Sequence, residues 1–459
     1  MGKRFMAFIT VLVIAVTAPF TAFCKNNNTL SDIKSAVEGV VSYLCGTQGA
    51  DSFPELLDKL SESAGNYSVD WYYIAFSRYG LDCRNQKSIE AFRNKVEEFY
   101  SGDLAAVKVT DMQRTALALS SCGVDITDVN GHNLLADATY NRAKVKPLNS
   151  QGLNAVAYAL LLLDSKNYSV PDNAETTRDM MVTTLLNSEL DGGGFSLFGS
   201  YPDIDMTSII TQALSPYKNR SDVRSALDKC VGILSSRQKS SGGYKSFSNE
   251  ISCESTAQVV LCLTAMGINP ISDSRFVKNG NSVIDGLMTF KLGSGAFSHF
   301  KDQNADNMAT YQALCALVST YIYLQGEKSF YNFAAKPKPN KVKVLKQKKT
   351  SSHTGKSNNN SKIENKSSSS TISETQKPTE KVKKTTKETA LKSKTKKKQK
   401  AVLKPTSAVE STTAARSNNS AKEKNYNSNS ENKRYPIYID FIVLALMYPV
   451  LVVIKRRTK

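Results

Sequence analysis

The sequence of 459 residues has little of what most metal and redox sites are built from, with one tryptophan and three histidines. One of these, His353, lies in a polar tail, and neither His132 nor His299 stands in an Asp-x-Cys plus His pattern of the kind that holds zinc. We therefore expect no metal and no cofactor. Alternating strand patterns are also almost absent, which excludes a fold built on a β-sheet.

Cysteine is present in a number that does not suit a disulfide-stapled protein. Seven cysteines follow residue 24, and an odd count argues against a complete disulfide framework. Several fall within apolar helical segments, as small buried hydrophobic residues do. A single pair, Cys83 with Cys122 or Cys230 with Cys253, stays open.

An excess of basic charge is missing from residues 25–335, although the formal net charge of the chain is +19. Residues 336–434 hold 27 Lys and Arg against 7 Glu, which leaves residues 25–335 mildly acidic. The basic character therefore belongs to a tail, and we expect no nucleic-acid partner. That tail is rich in Lys, Ser, Thr and Asn, and it is predicted to be a disordered linker that could meet anionic wall polymers.

Both ends of the chain are typical of membrane targeting. Residues 1–24 combine Lys3 and Arg4 with an apolar run, as a secretory signal peptide does. Residues 435–459 form a mostly apolar stretch that ends in a basic cluster, as a single transmembrane anchor with a cytoplasmic tail does. We therefore predict a single-pass protein of the cell membrane whose domain, residues 25–335, is extracellular.

A repeated pattern organises that domain. Six apolar helices each open near an acidic or amide residue, at intervals of 41, 38, 56, 49 and 52 residues; these residues are Asp70, Asp111, Asn149, Asp205, Glu254 and Asp306. Six amphipathic helices alternate with them, near residues 31–45, 87–100, 131–143, 174–188, 220–236 and 281–291. A helix without a polar face is buried on every side. The sequence thus predicts an all-α fold, an (α/α)6 toroid of six helical hairpins with an inner and an outer ring.

The turns before three inner helices carry glycines followed by an aromatic residue. The copy at 234–244, with Gln238, Gly242, Gly243 and Tyr244, resembles the prenyltransferase and squalene-cyclase repeat family, as found in membrane-anchored bacterial surface proteins. The resemblance implies the toroid of terpenoid cyclases and protein prenyltransferases. It implies no single activity, because that fold hosts cyclases, transferases, carriers and thioester domains.

Residues 202–207 carry the first of two candidate chemistries. Asp203 and Asp205 stand in a segment that resembles the Asp-x-Asp-Asp-Thr acid motif of squalene–hopene cyclases, which implies that Asp205 is a catalytic proton donor. Met206 replaces the next acidic residue of that motif. The alternative is that Asp205 only caps an inner helix.

Residues 45–48 carry the second candidate chemistry. Cys45 and Gln48 resemble the Cys-Gly-Glu-Gln of thioester domains, in which such a pair condenses to an acylating thioester. Thr47 departs from that pattern. The alternative is a buried cysteine followed by a glycine that ends the helix.

The inner helices are expected to open on one face of the ring, so their acidic residues would surround a shared mouth. Aromatic residues stand close by, and acids with aromatics around a concavity suit a small molecule or a glycan. The candidate ligand-binding residues are Asp70, Trp71, Asp111, Asp203, Asp205, Glu254, Asp306 and Tyr311. Capping and core packing remain the other explanation.

These patterns together favour a non-enzymatic ligand-binding or adhesion module anchored at the cell surface. The alternatives are a terpene-cyclase-like enzyme that uses Asp205 and a thioester adhesin that uses Cys45 and Gln48. A deep cavity lined by aromatic side chains would favour the enzyme.

Overall fold

The computed structural model describes residues 29–327, 329–335, 337–342 and 344. The predicted signal peptide 1–24 and anchor 435–459 lie outside the described residues, as does nearly all of the predicted linker 336–434. Within the described part of the chain, no helix combines the length and the apolar character needed to span a bilayer.

The described residues are mostly helical, with thirteen α-helices and little sheet. In chain order the helices are α1 (Leu30–Gln48), α2 (Phe53–Ser61), α3 (Tyr67–Tyr79), α4 (Gln86–Tyr100), α5 (Val109–Ser121), α6 (Leu134–Ala138), α7 (Leu153–Ser165), α8 (Arg178–Leu186), α9 (Ile204–Leu214), α10 (Ser221–Arg237), α11 (Cys253–Met266), α12 (Val283–Met288) and α13 (Asn307–Leu324). Single 3-10 turns occupy Leu104–Ala106, Arg142–Lys144, Leu148–Gln151, Ser215–Tyr217 and Ser274–Phe276. Two antiparallel hairpins complete the set, β1 (Tyr244–Lys245) with β2 (Ile251–Ser252) and β3 (Val277–Lys278) with β4 (Asn281–Ser282).

Six of these helices form a closed ring. Helices α3, α5, α7, α9, α11 and α13 each pack on the next, and α13 returns to α3. The ring helices are buried on nearly every side. In α7, for example, Leu160, Leu161, Leu162 and Leu163 are consecutive residues and all are buried. This arrangement fits an α/α toroid.

Threonine hydroxyls tie the glycine turns to the inner helices that follow them. The backbone N–H of Tyr244 donates to Thr256 Oγ1 at 3.1 Å, and that hydroxyl donates to the Ser252 carbonyl at 2.7 Å. The same bond joins Phe195 to Thr207 at 3.1 Å and Phe297 to Thr310 at 3.0 Å. These three aromatic side chains are fully buried under the ring. The repeat is therefore held by a shared polar contact as well as by its apolar pattern.

Several elements differ from the expectation. Helix α2 was not predicted, although Ser52 caps it and Pro54 lies in its first turn. The third outer helix is only Leu134–Ala138, because the chain then turns into a separate 3-10 turn. The third inner helix begins at Leu153, after Gly152, and not at Asn149.

All seven cysteines that the structure describes are buried free thiols, so neither candidate disulfide is present. Cys83 and Cys122 do lie side by side. Burial, and then the neighbouring Cys122, raise the pKa of Cys83 well above its usual range. The thiol of Cys253 instead points toward the carbonyl of Ala309, 3.6 Å away.

Thr256→Val tests the contact that repeats around the ring. Valine keeps the volume but leaves the buried N–H of Tyr244 without its partner, which costs about 1–3 kcal/mol of unfolding free energy. Urea denaturation followed by circular dichroism measures the loss. Thr183→Val, at an exposed position of α8, is the control and should change the free energy by less than about 0.5 kcal/mol. Equal losses of unfolding free energy in the two variants would show that this hydrogen bond does not stabilise the ring.

Candidate functional site

The inner helices begin at one face of the ring, which we call the mouth. Their first turns meet there: Tyr67 of α3 contacts Tyr311 of α13 with ring centroids 5.7 Å apart, and Gln113 of α5 donates to the Ala155 carbonyl of α7 at 2.8 Å. Residues at the starts of these helices therefore share one site although they are far apart in sequence.

On one side of the mouth, α3 and α5 form a buried ion cluster. Arg114 Nε lies 3.0 Å from Asp70 Oδ2, and Arg114 NH1 lies 2.6 Å from Asp111 Oδ1. Asp70 is fully buried and also accepts from the Gly65 N–H at 2.8 Å and the Thr115 hydroxyl at 3.1 Å. Both oxygens of Asp70 are therefore occupied within the fold, while Asp111 is partly exposed at the mouth.

On the other side of the mouth, Asp203 and Asp205 differ in their contacts. The sequence left open whether Asp205 caps a helix or serves as a proton donor. Asp203 caps α9, accepting from the N–H groups of Met206 at 2.6 Å and Leu197 at 3.0 Å. Asp205 lies in the first turn but does not cap it, and its Oδ1 atom is buried without a hydrogen-bond partner. The cap explanation therefore applies to Asp203 and not to Asp205.

The surroundings of Asp205 favour its neutral form. Burial, and then the charge of Asp203, raise the pKa of Asp205 to about 7. Ser255 of α11 is close enough to lower this pKa somewhat, yet its own buried hydroxyl makes no hydrogen bond of normal geometry. Glu254 adds a further charge that raises the pKa. Asp205 is thus poised to hold a proton near neutral pH.

Glu254 holds the position in α11 that Asp205 holds in α9, two residues after the cap. It forms an ion pair with His299, whose Nδ1 lies 2.8 Å from Glu254 Oε2. Burial raises the pKa of Glu254, and the hydrogen bond that His299 donates to Glu254 raises the pKa of His299. The other oxygen of Glu254, Oε1, is buried without a partner.

Sequence reasoning missed His299 as a site residue, because it lies in the turn before α13, 45 residues away from Glu254. No short motif could have paired the two. Asp306, also predicted as a mouth residue, caps α13 by accepting from the Ala309 N–H at 2.8 Å. Among the residues that the structure covers, no cluster of three or more His, Cys, Asp or Glu is arranged to hold a metal ion.

Below the mouth lies a small cavity that is partly open to solvent. Most of its lining is aromatic or amide, and the lining residues are Tyr67, Trp71, Tyr158, Gln258, Leu261, Tyr311, Gln312, Cys315 and Tyr331. Of the predicted residues only Trp71 and Tyr311 belong to it. The others were missed because their positions, such as Tyr158 in mid-helix, carry no motif.

Tyr67 connects the acidic groups with the cavity. It lines the cavity, stands partly exposed at the mouth, and carries the Arg114 guanidinium 4.9 Å from its ring centre. It is also within electrostatic range of both Asp111 and Asp205. Asp205 therefore lies in the neighbourhood of the cavity, and it is not one of the residues that line it.

The opposite end of the ring is closed by the segment that follows α13. Buried Arg78 binds the Glu327 carboxylate at 2.6 Å and the carbonyls of Ser329 at 3.3 Å and Ala335 at 3.1 Å. These bonds fix the segment that carries Tyr331, whose ring meets Trp71 at 6.4 Å. The cavity therefore has a floor, and the mouth is the entrance beside the acids.

The two residues of the candidate thioester pair lie in different surroundings. Helix α1 runs through Gln48, placing Cys45 in the core with no exposed surface and leaving Gln48 exposed. Burial raises the pKa of Cys45 to about 11, so the thiol is protonated at neutral pH. Cys45 fits the alternative explanation, a buried cysteine before the glycine that ends the helix, since Gly49 closes α1 in the left-handed region with φ of 65°.

Comparison of the sequence with protein-family models and with curated proteins gives no match, so the prenyltransferase-repeat resemblance has no family model behind it. Solved structures with a related fold are found. A type II terpene cyclase from Scytonema in complex with merosterolic acid A is 11% identical, with a TM-score of 0.43, over 65% of this chain and 98% of that one.

Two further structures share the outline of the fold. The unsaturated glucuronyl hydrolase of Bacillus sp. GL1, responsible for degradation of glycosaminoglycan, is 11% identical, with a TM-score of 0.42, over 67% of this chain and 99% of that one. A possible member of the GH105 family from Salmonella enterica serovar Paratyphi A is 10% identical, with a TM-score of 0.36, over 67% and 98% of the two chains.

These neighbours do not bear out one expectation. All three are described as enzymes or as possible members of an enzyme family, and none as the non-enzymatic binding or adhesion module that the sequence favoured. Their substrates remain properties of those proteins.

Arg114→Met tests whether the ion cluster is a structural support of the mouth. The substitution leaves Asp70 buried without its counter-charge, which costs about 3–5 kcal/mol of unfolding free energy at neutral pH. The loss should shrink in acid, where Asp70 becomes protonated. Arg220→Met removes a surface partner of Asp179 and Asp222 and should cost at most about 1 kcal/mol. Denaturant titration of both variants measures the difference, and similar losses would contradict this role.

Proposed function

We propose that the toroid is an enzyme in which Asp205 acts as a general acid on a substrate held in the aromatic cavity. The observation that carries the proposal is the buried, unpartnered Oδ1 of Asp205, on a carboxyl whose pKa is raised to about 7. A buried polar atom without a partner costs stability, and such costs are concentrated at functional sites. The resemblance of residues 202–207 to the acid motif of squalene–hopene cyclases names the reaction class.

The two neighbouring carboxyls are suited to different tasks. Burial raises the pKa of Asp203, but two backbone N–H donors favour its charged form. The charge of Asp203 then opposes a second charge on Asp205, which keeps the proton there. Environments that separate two carboxyls in this way are typical of acid catalysis.

The step that follows is the transfer of this proton to carbon. The Asp205 proton adds to one carbon of a double bond, whose π electrons form the new C–H bond, and the carboxyl becomes a carboxylate. The partner carbon becomes cationic. The ring faces of Trp71 and Tyr311, among the aromatic groups of the cavity, can stabilise that positive charge. In the proposed step a second double bond of the substrate then attacks the cationic carbon and closes a ring. A second carboxyl, Glu254 with its free Oε1, accepts a proton from the carbon next to the resulting cation as the product alkene forms.

The size of the cavity limits the substrate. The enclosed part of the cavity has room for little more than a water molecule unless the lining side chains move. We therefore propose a short isoprenoid as the substrate and not a long one. Met206 stands where the motif has a further acid, and Ser255 and Glu254 of the next helix take the place beside Asp205.

The location of the enzyme rests on the sequence alone. We propose that the domain is extracellular, held by the predicted anchor 435–459, with the basic linker available to anionic wall polymers. An extracellular isoprenoid substrate would then be a neutral alkene, alcohol or epoxide, since isoprenoid diphosphates are made inside the cell.

Turnover in deuterated water tests the acid role. The full-length chain is incubated with short linear isoprenoid alkenes, alcohols and terminal epoxides, and products are analysed by mass spectrometry. Cyclisation started by Asp205 on an alkene places one solvent deuterium on carbon in the product, and on an epoxide it places the deuterium on oxygen. Asp205→Asn should lower the rate by about 100-fold or more.

Asp222→Asn is the matched control, because Asp222 also lies in the first turn of a helix but on the outer surface of α10. Its rate should equal that of the unmodified chain. Turnover that survives in Asp205→Asn, or none with any member of the panel, would overturn the proposal.

A further inference from the structure

Two of the buried thiols lie against each other at the end of the ring opposite the mouth. Cys122 is the residue that ends α5, and Cys83 lies in the non-helical stretch between α3 and α4. The two side chains are hydrogen-bonded to each other, and the thiol of Cys83 also points toward the Tyr73 carbonyl, 3.8 Å away. Two segments that are distant in sequence thus bring their cysteines into contact.

The other cysteines that the structure describes have different neighbours. Their thiols face oxygen atoms, which are backbone carbonyls at 3.6 to 3.9 Å for three of them and the Thr211 hydroxyl for the other two. The first group is Cys45, Cys253 and Cys315, and the second is Cys230 and Cys262. Direct contact between thiols therefore distinguishes Cys83 and Cys122 from these five.

The backbone around the pair is held together, although neither cysteine lies inside a helix. The Ser77 hydroxyl donates to the Ser121 carbonyl at 2.6 Å, which ties the last turn of α3 to the last residue of α5. A disulfide needs its sulfur atoms about 2 Å apart, so closure asks the two thiols to approach further. Rotation about the Cα–Cβ bonds supplies such an approach more easily at these positions than within a helix.

We propose that Cys83 and Cys122 close to a disulfide when the chain folds in an oxidising compartment, and that this bond staples the end of α3 to the end of α5. The same two helices carry Asp70 and Arg114, which pair at the mouth. With the disulfide they are joined at both ends. The proposal does not depend on the acid role of Asp205.

Closure takes two thiol–disulfide exchanges with a donor disulfide, such as oxidised glutathione or a disulfide oxidoreductase. The thiolate of Cys122, the more exposed of the two cysteines, attacks one donor sulfur, and the S–S bond of the donor breaks and releases its other sulfur as a thiolate. The thiolate of Cys83 then attacks the Cys122 sulfur of the mixed disulfide and releases the second donor sulfur. Two electrons pass from the cysteines to the donor, and the two thiol protons end on the donor sulfurs.

The folded structure resists the second of these exchanges. Burial, and then the neighbouring Cys122, raise the pKa of Cys83 well above its usual range, and the thiol form is a poor nucleophile. We therefore expect the bond to close during folding, before the pair is buried, and to be slow to form in a chain that has folded with its thiols reduced.

Peptide mapping tests the bond directly. The full-length chain is refolded from guanidinium chloride into a non-ionic detergent with oxidised and reduced glutathione, alkylated with iodoacetamide, and digested with trypsin without reductant. Each cysteine of the pair lies alone in a tryptic peptide, 79–84 for Cys83 and 115–142 for Cys122. The expected product is these two peptides joined, lighter by two hydrogen atoms than the sum of the reduced peptides.

The tryptic peptides 230–237 and 246–275 are the internal control, since they carry Cys230 and, in the second, both Cys253 and Cys262. They should stay unlinked and alkylated. Free, alkylated 79–84 and 115–142 from a refolded chain of normal helical content would overturn the proposal. So would a bond from Cys83 or Cys122 to any other cysteine.

Thermal unfolding followed by circular dichroism tests the stapling role. The oxidised chain should unfold about 5 °C or more above the chain refolded with reduced glutathione alone, because the bond restricts the unfolded chain. In Cys83→Ala the two preparations should unfold at the same temperature, whatever the substitution costs both of them. Cys230→Ala is the matched control and should keep the difference. A linked pair that leaves the unfolding temperature unchanged would contradict the staple.

Discussion

The helices of the inner ring are buried on nearly every side, and this single constraint shapes the rest of the molecule. A helix such as α7 can be buried on all sides only if other helices surround it, so the six inner helices pack on one another and are covered by outer ones. Closure brings six helix starts to one face and leaves a cavity along the axis. The mouth and the cavity are therefore consequences of apolar burial. The polar residues at the mouth supply the groups that can donate or accept protons.

Most polar groups at the mouth are hydrogen-bonded or ion-paired within the fold, and the groups that are not indicate the functional site. Asp203 and Asp306 cap helices, and Asp70 is enclosed by Arg114 and its neighbours. The Oδ1 atom of Asp205 and the Oε1 atom of Glu254 instead have no hydrogen-bond partner although they are buried. The proposed acid role of Asp205 rests on this contrast.

The fold could be predicted from the periodicity of apolar residues. The site could be predicted only in part, because several of its residues come from segments that are distant in sequence. The openings at Asp70, Asp111, Asp205, Glu254 and Asp306 were found because each starts an apolar helix, which is a local signal. His299, Arg114 and Tyr331 were not found, since each reaches the site from a separate segment. The same limit explains Cys45 and Gln48, which are near in sequence but point to different surroundings once α1 forms.

The ionisation of Asp205 is the central claim, and carbon-13 NMR of aspartate-labelled protein measures it directly. The carboxyl resonance that disappears in Asp205→Asn is followed from pH 3 to pH 9. The account predicts a midpoint near 7, because burial and Asp203 favour the neutral form. A midpoint near the ordinary value of about 4 would show an ionised carboxylate at neutral pH and would contradict the assignment of Asp205 as the proton donor.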